Sequence, residues 1–271
     1  MKQANWNDYL SANNPWTKRL LGLEPFSKTR NLEQIEAEYN QEKYARLLNF
    51  EFSNAELYRK QENQLDGFSN NHDVFVSLNE ELFEVKIGLA TTINRSIISD
   101  IVQKYQPVNL CELGCGYGYN LSYIKKICWD VWGGEYSENA VTIGHKSGLD
   151  IRRFNYYNLS NYEQIFKKRD HVVVLTVHSV EQLPSAQCFI DGIYSQKHVI
   201  DLIINFEPTF LPERTSLVGM LRNRYIELND YNRDLLQILT NRDDVEIIEY
   251  QPDIIGFNPL NPTNLIVWRF K

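Results

Sequence analysis

The chain has 271 residues, 43% of them hydrophobic and 23% charged, with a formal charge of −7. That is enough for one large domain, or a domain with an added cap, around a sizeable core, and it excludes disordered and fibrous classes. The acidic balance argues against nucleic acid as partner, since phosphate-binding proteins show basic stripes. No run approaches the roughly 18 apolar residues of a membrane span. The amino end (Met1-Lys2-Gln3-Ala4-Asn5-Trp6) lacks the apolar centre of a secretory signal. The four cysteines have no CxxC spacing and the five histidines no HxxxH pair, so reduced thiols, a cytoplasmic location and no metal site are expected.

Residues 1–100 read as a helical amino-terminal cap without a strand series. One helix is predicted from Asn31 through Tyr39, Tyr44 and Leu47, and another from Glu80 to Tyr105, ending before Pro107. Residues 101–271 change texture. Short apolar runs at 108–113, 128–135, 150–154, 171–177, 199–206, 245–250 and 264–270 alternate with helical stretches, the clearest spanning 214–239. Five parallel strands are predicted, then an antiparallel pair, because the link 251–263 is too short for a helical crossover. The fold class is α/β, a Rossmann-like doubly wound sheet of seven strands with a helical amino-terminal cap.

The first strand ends in Glu112-Leu113-Gly114-Cys115-Gly116-Tyr117-Gly118-Tyr119-Asn120. Glycines at a strand-to-helix turn let a ligand approach the backbone. The G-x-G-x-G spacing differs from the dehydrogenase G-x-G-x-x-G. An acid at Glu112 suits a ligand carrying an ammonium group and would repel a pyrophosphate. The second strand ends at Glu135, where a carboxylate can accept both hydroxyls of a ribose.

Glu112–Gly118 resembles the first motif of class I S-adenosylmethionine-dependent methyltransferases, and Glu135-Tyr136-Ser137-Glu138-Asn139-Ala140 resembles the second. The resemblance covers about residues 100–271. It implies S-adenosylmethionine as cofactor, with Glu112 near the methionine ammonium, Gly114, Gly116 and Gly118 as cradle, and Glu135 on the ribose. Cys115, Asn120 and Tyr136 belong to the same cofactor set. Many members carry an aspartate after the third strand; this chain has Asn155-Tyr156-Tyr157-Asn158. Asn155 can accept from the adenine amine and Tyr156 can flank the ring, although Asn158 competes for the role and a local cap is the plain alternative.

After the fourth strand come His178 and Glu181, at the end of the sheet where ligands bind. His178 is the candidate base and Glu181 its orienting partner, against a capping histidine and an ordinary first-turn acid. The charged stretch 222–233 is either an exposed face of ion pairs or a grip for an anionic sugar or phosphate. The expected activity is methylation of a small molecule, at oxygen of a sugar or polysaccharide precursor, with nitrogen of an amine or amide, or cofactor binding without catalysis, as alternatives.

Overall fold

The computed structural model describes residues 1–11 and 14–271. Strands β4 (Asn109–Leu113), β5 (Asp130–Glu135), β6 (Ile151–Arg153), β7 (Val172–Val177), β8 (Ile200–Glu207), β9 (Val245–Ile255) and β10 (Thr263–Phe270) form one sheet in the order β6-β5-β4-β7-β8-β10-β9. The first five are parallel, and β10 runs antiparallel between β8 and β9. The doubly wound class read from the sequence is the class observed.

Alternation along the strands assigns two cores. Leu110, Val173, Leu175, Leu202, Ile204, Leu265 and Val267 face one side. There they meet helices α5 (Ile87–Tyr105), α6 (Tyr119–Ile124) and α7 (Glu138–Lys146). Cys111, Leu113, Val172, Val174, Ile203, Ile266 and Trp268 face the other side, against α8 (Leu159–Phe166), α9 (Gln187–Ser195) and α11 (Leu235–Thr240). A strand covered on both faces has no polar side, which is why these runs are continuously apolar. Chain order reverses between β4 and β7, opening a crevice at their carboxyl ends.

The amino-terminal third departs from the helical expectation. A small antiparallel sheet, ordered β1 (Lys2–Ala4), β3 (Glu81–Lys86), β2 (Asp73–Leu78), precedes α5, so residues 80–86 are turn and strand rather than helix. The β2–β3 turn, Asn79-Glu80, has positive φ at both residues (50° and 66°). Asp253 holds it: the Glu80 N–H donates to its Oδ2 (2.6 Å) and the Asn79 N–H to its carbonyl (2.8 Å). The predicted helix from Asn31 exists as α3 (Leu32–Ile35), a π-helix (Glu36–Tyr44) and a 3₁₀ turn (Ala45–Leu47). Helix α4 (Ala55–Leu65) follows.

The 214–239 stretch is two helices, α10 (Leu217–Leu228) and α11, broken where Asp230 takes positive φ and Asn232 Oδ1 accepts the Leu235 N–H. Arg222 is neither an exposed pair nor an anion grip. It is buried on Asp253 (2.8 Å) and the Pro259 carbonyl (3.0 Å). Arg224 and Glu227 do form an exposed pair. Among the described residues no helix is long and apolar enough to cross a membrane, and no cluster of metal-ligating side chains occurs.

Candidate active site

The crevice is a cavity of about 460 Å³, within the range of small-molecule and cofactor sites. It gathers Glu112, Gly114, Cys115, Gly116, Asn120, Glu135, Tyr136, Asn155, Tyr156, His178 and Glu181, all singled out in the sequence. Gly118 is not among the lining residues. At φ +81° it caps α6, and a Cβ there would lie 2.6 Å from Leu149 Cδ1 and 2.8 Å from Ile151 Cδ1. Its role is close helix–strand packing, a correction to the three-glycine cradle.

Glu112, next to last in β4, is fully buried. Asn120 Nδ2 donates to its Oε1 (2.6 Å), while Oε2 has no partner among the described residues. Burial pushes this carboxyl up to about 8, against the Asn120 bond, with Glu135 adding to the rise. A buried carboxyl oxygen without a partner is costly, and a ligand ammonium would supply a donor to its ionised form. Glu135, also buried, accepts from the Gly116 N–H (2.8 Å) at Oε2 and the Ser137 N–H (2.7 Å) at Oε1. Burial raises its pKa and those two bonds offset part of the rise. Each oxygen keeps a lone pair for a hydroxyl.

Gly114 and Gly116 both have positive φ (73° and 55°), and both are closely approached. A Cβ at Gly114 would strike the Ser179 side chain; one at Gly116 would lie 2.7 Å from Tyr44 Oη. Tyr156 Oη and Ser179 Oγ are 2.9 Å apart, with Ser179 Oγ donating to the Leu113 carbonyl (2.9 Å). Asn155 does line the cavity, but its Oδ1 already accepts the Tyr157 N–H (2.9 Å), the local cap considered from sequence. Asn158 is the N-cap of α8 and takes no part in the cavity.

His178 follows β7 with φ +51°, an unusual conformation for a side-chain-bearing residue and a mark of functional sites. Its Nδ1 lies 3.1 Å from Glu181 Oε2 and its Nε2 2.6 Å from Thr263 Oγ1. A carboxylate can only accept, so Nδ1 carries a proton toward Glu181; Nε2 accepts from the Thr263 hydroxyl in the neutral imidazole and donates to it in the imidazolium. Burial pulls the imidazole pKa down, but the Glu181 charge and hydrogen bond, with Glu207 behind, outweigh it and leave a net rise. Glu207 is itself committed: it accepts the Ser179, Val180 and Glu181 N–H groups and holds the turn that carries Glu181.

Sequence reasoning missed several cavity residues. Tyr39, Lys43 and Tyr44 come from the π-helix, Glu62 from α4, Asn261 from the loop entering β10, and Thr263 from the first position of β10. Glu62 is held down to about 2: burial opposes ionisation, but Lys43, Arg59 and the Tyr117 hydroxyl outweigh it. The π-helix is anchored by Asn40, whose Oδ1 accepts from Ser137 Oγ (2.7 Å) and the Asn139 N–H (2.9 Å), and whose carbonyl accepts from Asn139 Nδ2 (2.8 Å). Such irregular helices often sit at functional sites, but nothing in the local sequence marks this one.

The sequence matches no protein-family model and no curated protein. Solved structures do resemble the fold. One is an S-adenosylmethionine-dependent methyltransferase from Anabaena variabilis, 13% identical over 92% of this chain and 99% of that one, with a TM-score of 0.53. Another is the magnesium protoporphyrin IX methyltransferase of Synechocystis, solved with S-adenosylhomocysteine, 11% identical over 88% and 97% of the two chains, with a TM-score of 0.51. At these identities what is shared is the architecture: the chain has the fold of class I methyltransferases.

Proposed function

We propose that this chain is an S-adenosylmethionine-dependent methyltransferase of a small-molecule acceptor, with residues 101–271 holding the cofactor and residues 1–100 capping the site. The observation that carries this reading is the unpartnered Oε2 of buried Glu112 beside Gly116 and Glu135 at the sheet's switch point. Glu112 would take the methionine ammonium and Glu135 the ribose hydroxyls, with Tyr136, Asn155 and Tyr156 bordering the adenine and Cys115 and Asn120 completing the pocket. Neighbours of this fold bound to S-adenosylhomocysteine support the same cofactor.

When bound, the cofactor supplies an electrophilic methyl on a sulfonium leaving group. The chain's task is then alignment and removal of one proton. His178 Nε2, released from Thr263, accepts that proton, while Glu181 fixes the tautomer and stabilises the imidazolium. The acceptor's lone pair forms the bond to the methyl carbon as the carbon–sulfur pair returns to sulfur. A sugar-type hydroxyl, as in a polysaccharide precursor, and a small amine both meet this requirement.

Methyl-donor consumption against an acceptor panel, with calorimetric S-adenosylhomocysteine binding, tests the proposal. His178→Ala should keep the binding and lose about 10²–10⁴-fold in turnover. Binding without turnover of any acceptor would favour a non-catalytic binding protein.

A further inference from the structure

The compartment beside His178 has a polarity of its own. Gln182 Nε2 donates to Glu181 Oε1 and Asn261 Nδ2 to Glu181 Oε2, each at 2.8 Å. Turning either amide round would set its oxygen against a carboxylate oxygen, so Glu181 fixes both orientations. The consequence is that Gln182 Oε1 and Asn261 Oδ1 are left without a donor among the described residues. Both residues are more than nine-tenths buried (8% and 7% exposed), and both line the cavity. Two buried acceptor oxygens without donors ask for a ligand that brings N–H or O–H groups.

Charge narrows the choice. Among the described lining residues, the lysine and arginine cations are Lys43 and Arg59, and both are spent on Glu62 (3.2 and 3.1 Å). No guanidinium or ammonium remains for a phosphate or carboxylate; the remaining basic group, the His178 imidazole, is held between Glu181 (3.1 Å) and Thr263 (2.6 Å), and Glu181 stands directly behind the two amides. Hydroxyls would satisfy the oxygens, but only a cationic donor also gains from the carboxylate.

We infer that the acceptor compartment binds a small basic amine, with Gln182 and Asn261 as the residues that select it over neutral alcohols and anions. The inference rests on the cofactor reading above for its place beside the methyl donor. The two amide oxygens receive the amine's N–H groups, and the Glu181 charge supports them from behind. An anionic sugar phosphate finds no guanidinium or ammonium here, and the His178 imidazole is already held by Glu181 and Thr263.

Three ligands of matched ring and differing head group test this directly: benzylamine, benzyl alcohol and benzoate, titrated into protein saturated with S-adenosylhomocysteine and followed by ligand-observed NMR. Benzylamine should bind about tenfold more tightly than either of the others. Asn261→Leu and Gln182→Met should each erase that preference, with thermal melting to confirm that the variants fold. Equal or tighter binding of benzoate or benzyl alcohol, binding by none of the three, or an unchanged preference in both folded variants would overturn the inference. Failure of S-adenosylhomocysteine to bind strikes the cofactor reading instead, and the amine preference is then scored on the protein alone.

Discussion

Glu112 is held protonated by burial until a cation arrives. Its carboxyl is pushed up to about 8 in the free protein, so the protonated form predominates at pH 7. An ammonium set against Oε2 favours the carboxylate, so cofactor binding should release close to one proton. Affinity should then rise with pH through that range. Calorimetry at pH 7 in buffers of different ionisation enthalpy reads the proton count; Glu112→Gln should abolish it. His178 shows the opposite dependence on its partner. Because Glu181 raises the imidazole above its ordinary value, the neutral, proton-accepting form dominates only at higher pH. The rate should therefore climb on a basic limb above the usual histidine range, and Glu181→Gln should move that limb to lower pH. Gly116 separates two effects. Its Cβ position lies 2.7 Å from Tyr44 Oη, so Gly116→Ala crowds the π-helix as well as the cradle. Loss of S-adenosylhomocysteine binding that persists in Gly116→Ala/Tyr44→Ala assigns the effect to the cradle; recovery assigns it to the cap.

The elements were legible wherever burial on two faces left a predominantly apolar run, as in Val172–Val177. They were not legible where a distant residue supplies what the local sequence lacks. Asn79-Glu80 has no glycine to favour its left-handed turn; Asp253, 173 residues from Glu80, bonds it into place. The break after Leu228 did carry a local signal, the turn-forming Asn229-Asp230-Tyr231-Asn232, which the helical periodicity around it obscured. The motif acids and glycines of the site were readable because two short segments, 112–118 and 135–140, carry them. Gln182, Asn261 and Thr263 were not, because they meet only when the β9–β10 loop folds over the end of β7. The π-helix has its own test. Asn40→Ala removes the side-chain acceptor of two hydrogen bonds to α7, a loss of about 1–3 kcal/mol. Amide exchange across residues 36–47 should accelerate while β4 and β5 remain protected.

At the scale of the molecule, one buried ion pair ties the cap to the sheet. Arg222 of α10 joins Asp253 of β9 and lies within 3.3 Å of Ser77 in β2. Replacing it by methionine leaves Asp253 buried without its counter-charge, a cost of about 3–5 kcal/mol. A lower denaturation midpoint and faster exchange in residues 73–86 are the expected readouts. The fold is shared with methyltransferases at 11–13% identity, so what distinguishes this chain lies in the groups converging on the cavity. Titration calorimetry with S-adenosylhomocysteine and with NAD(P) measures what those groups hold. Saturable binding of S-adenosylhomocysteine, lost in Glu112→Ala and Glu135→Ala, is the expected result. Binding of NAD(P) with none of S-adenosylhomocysteine would contradict it.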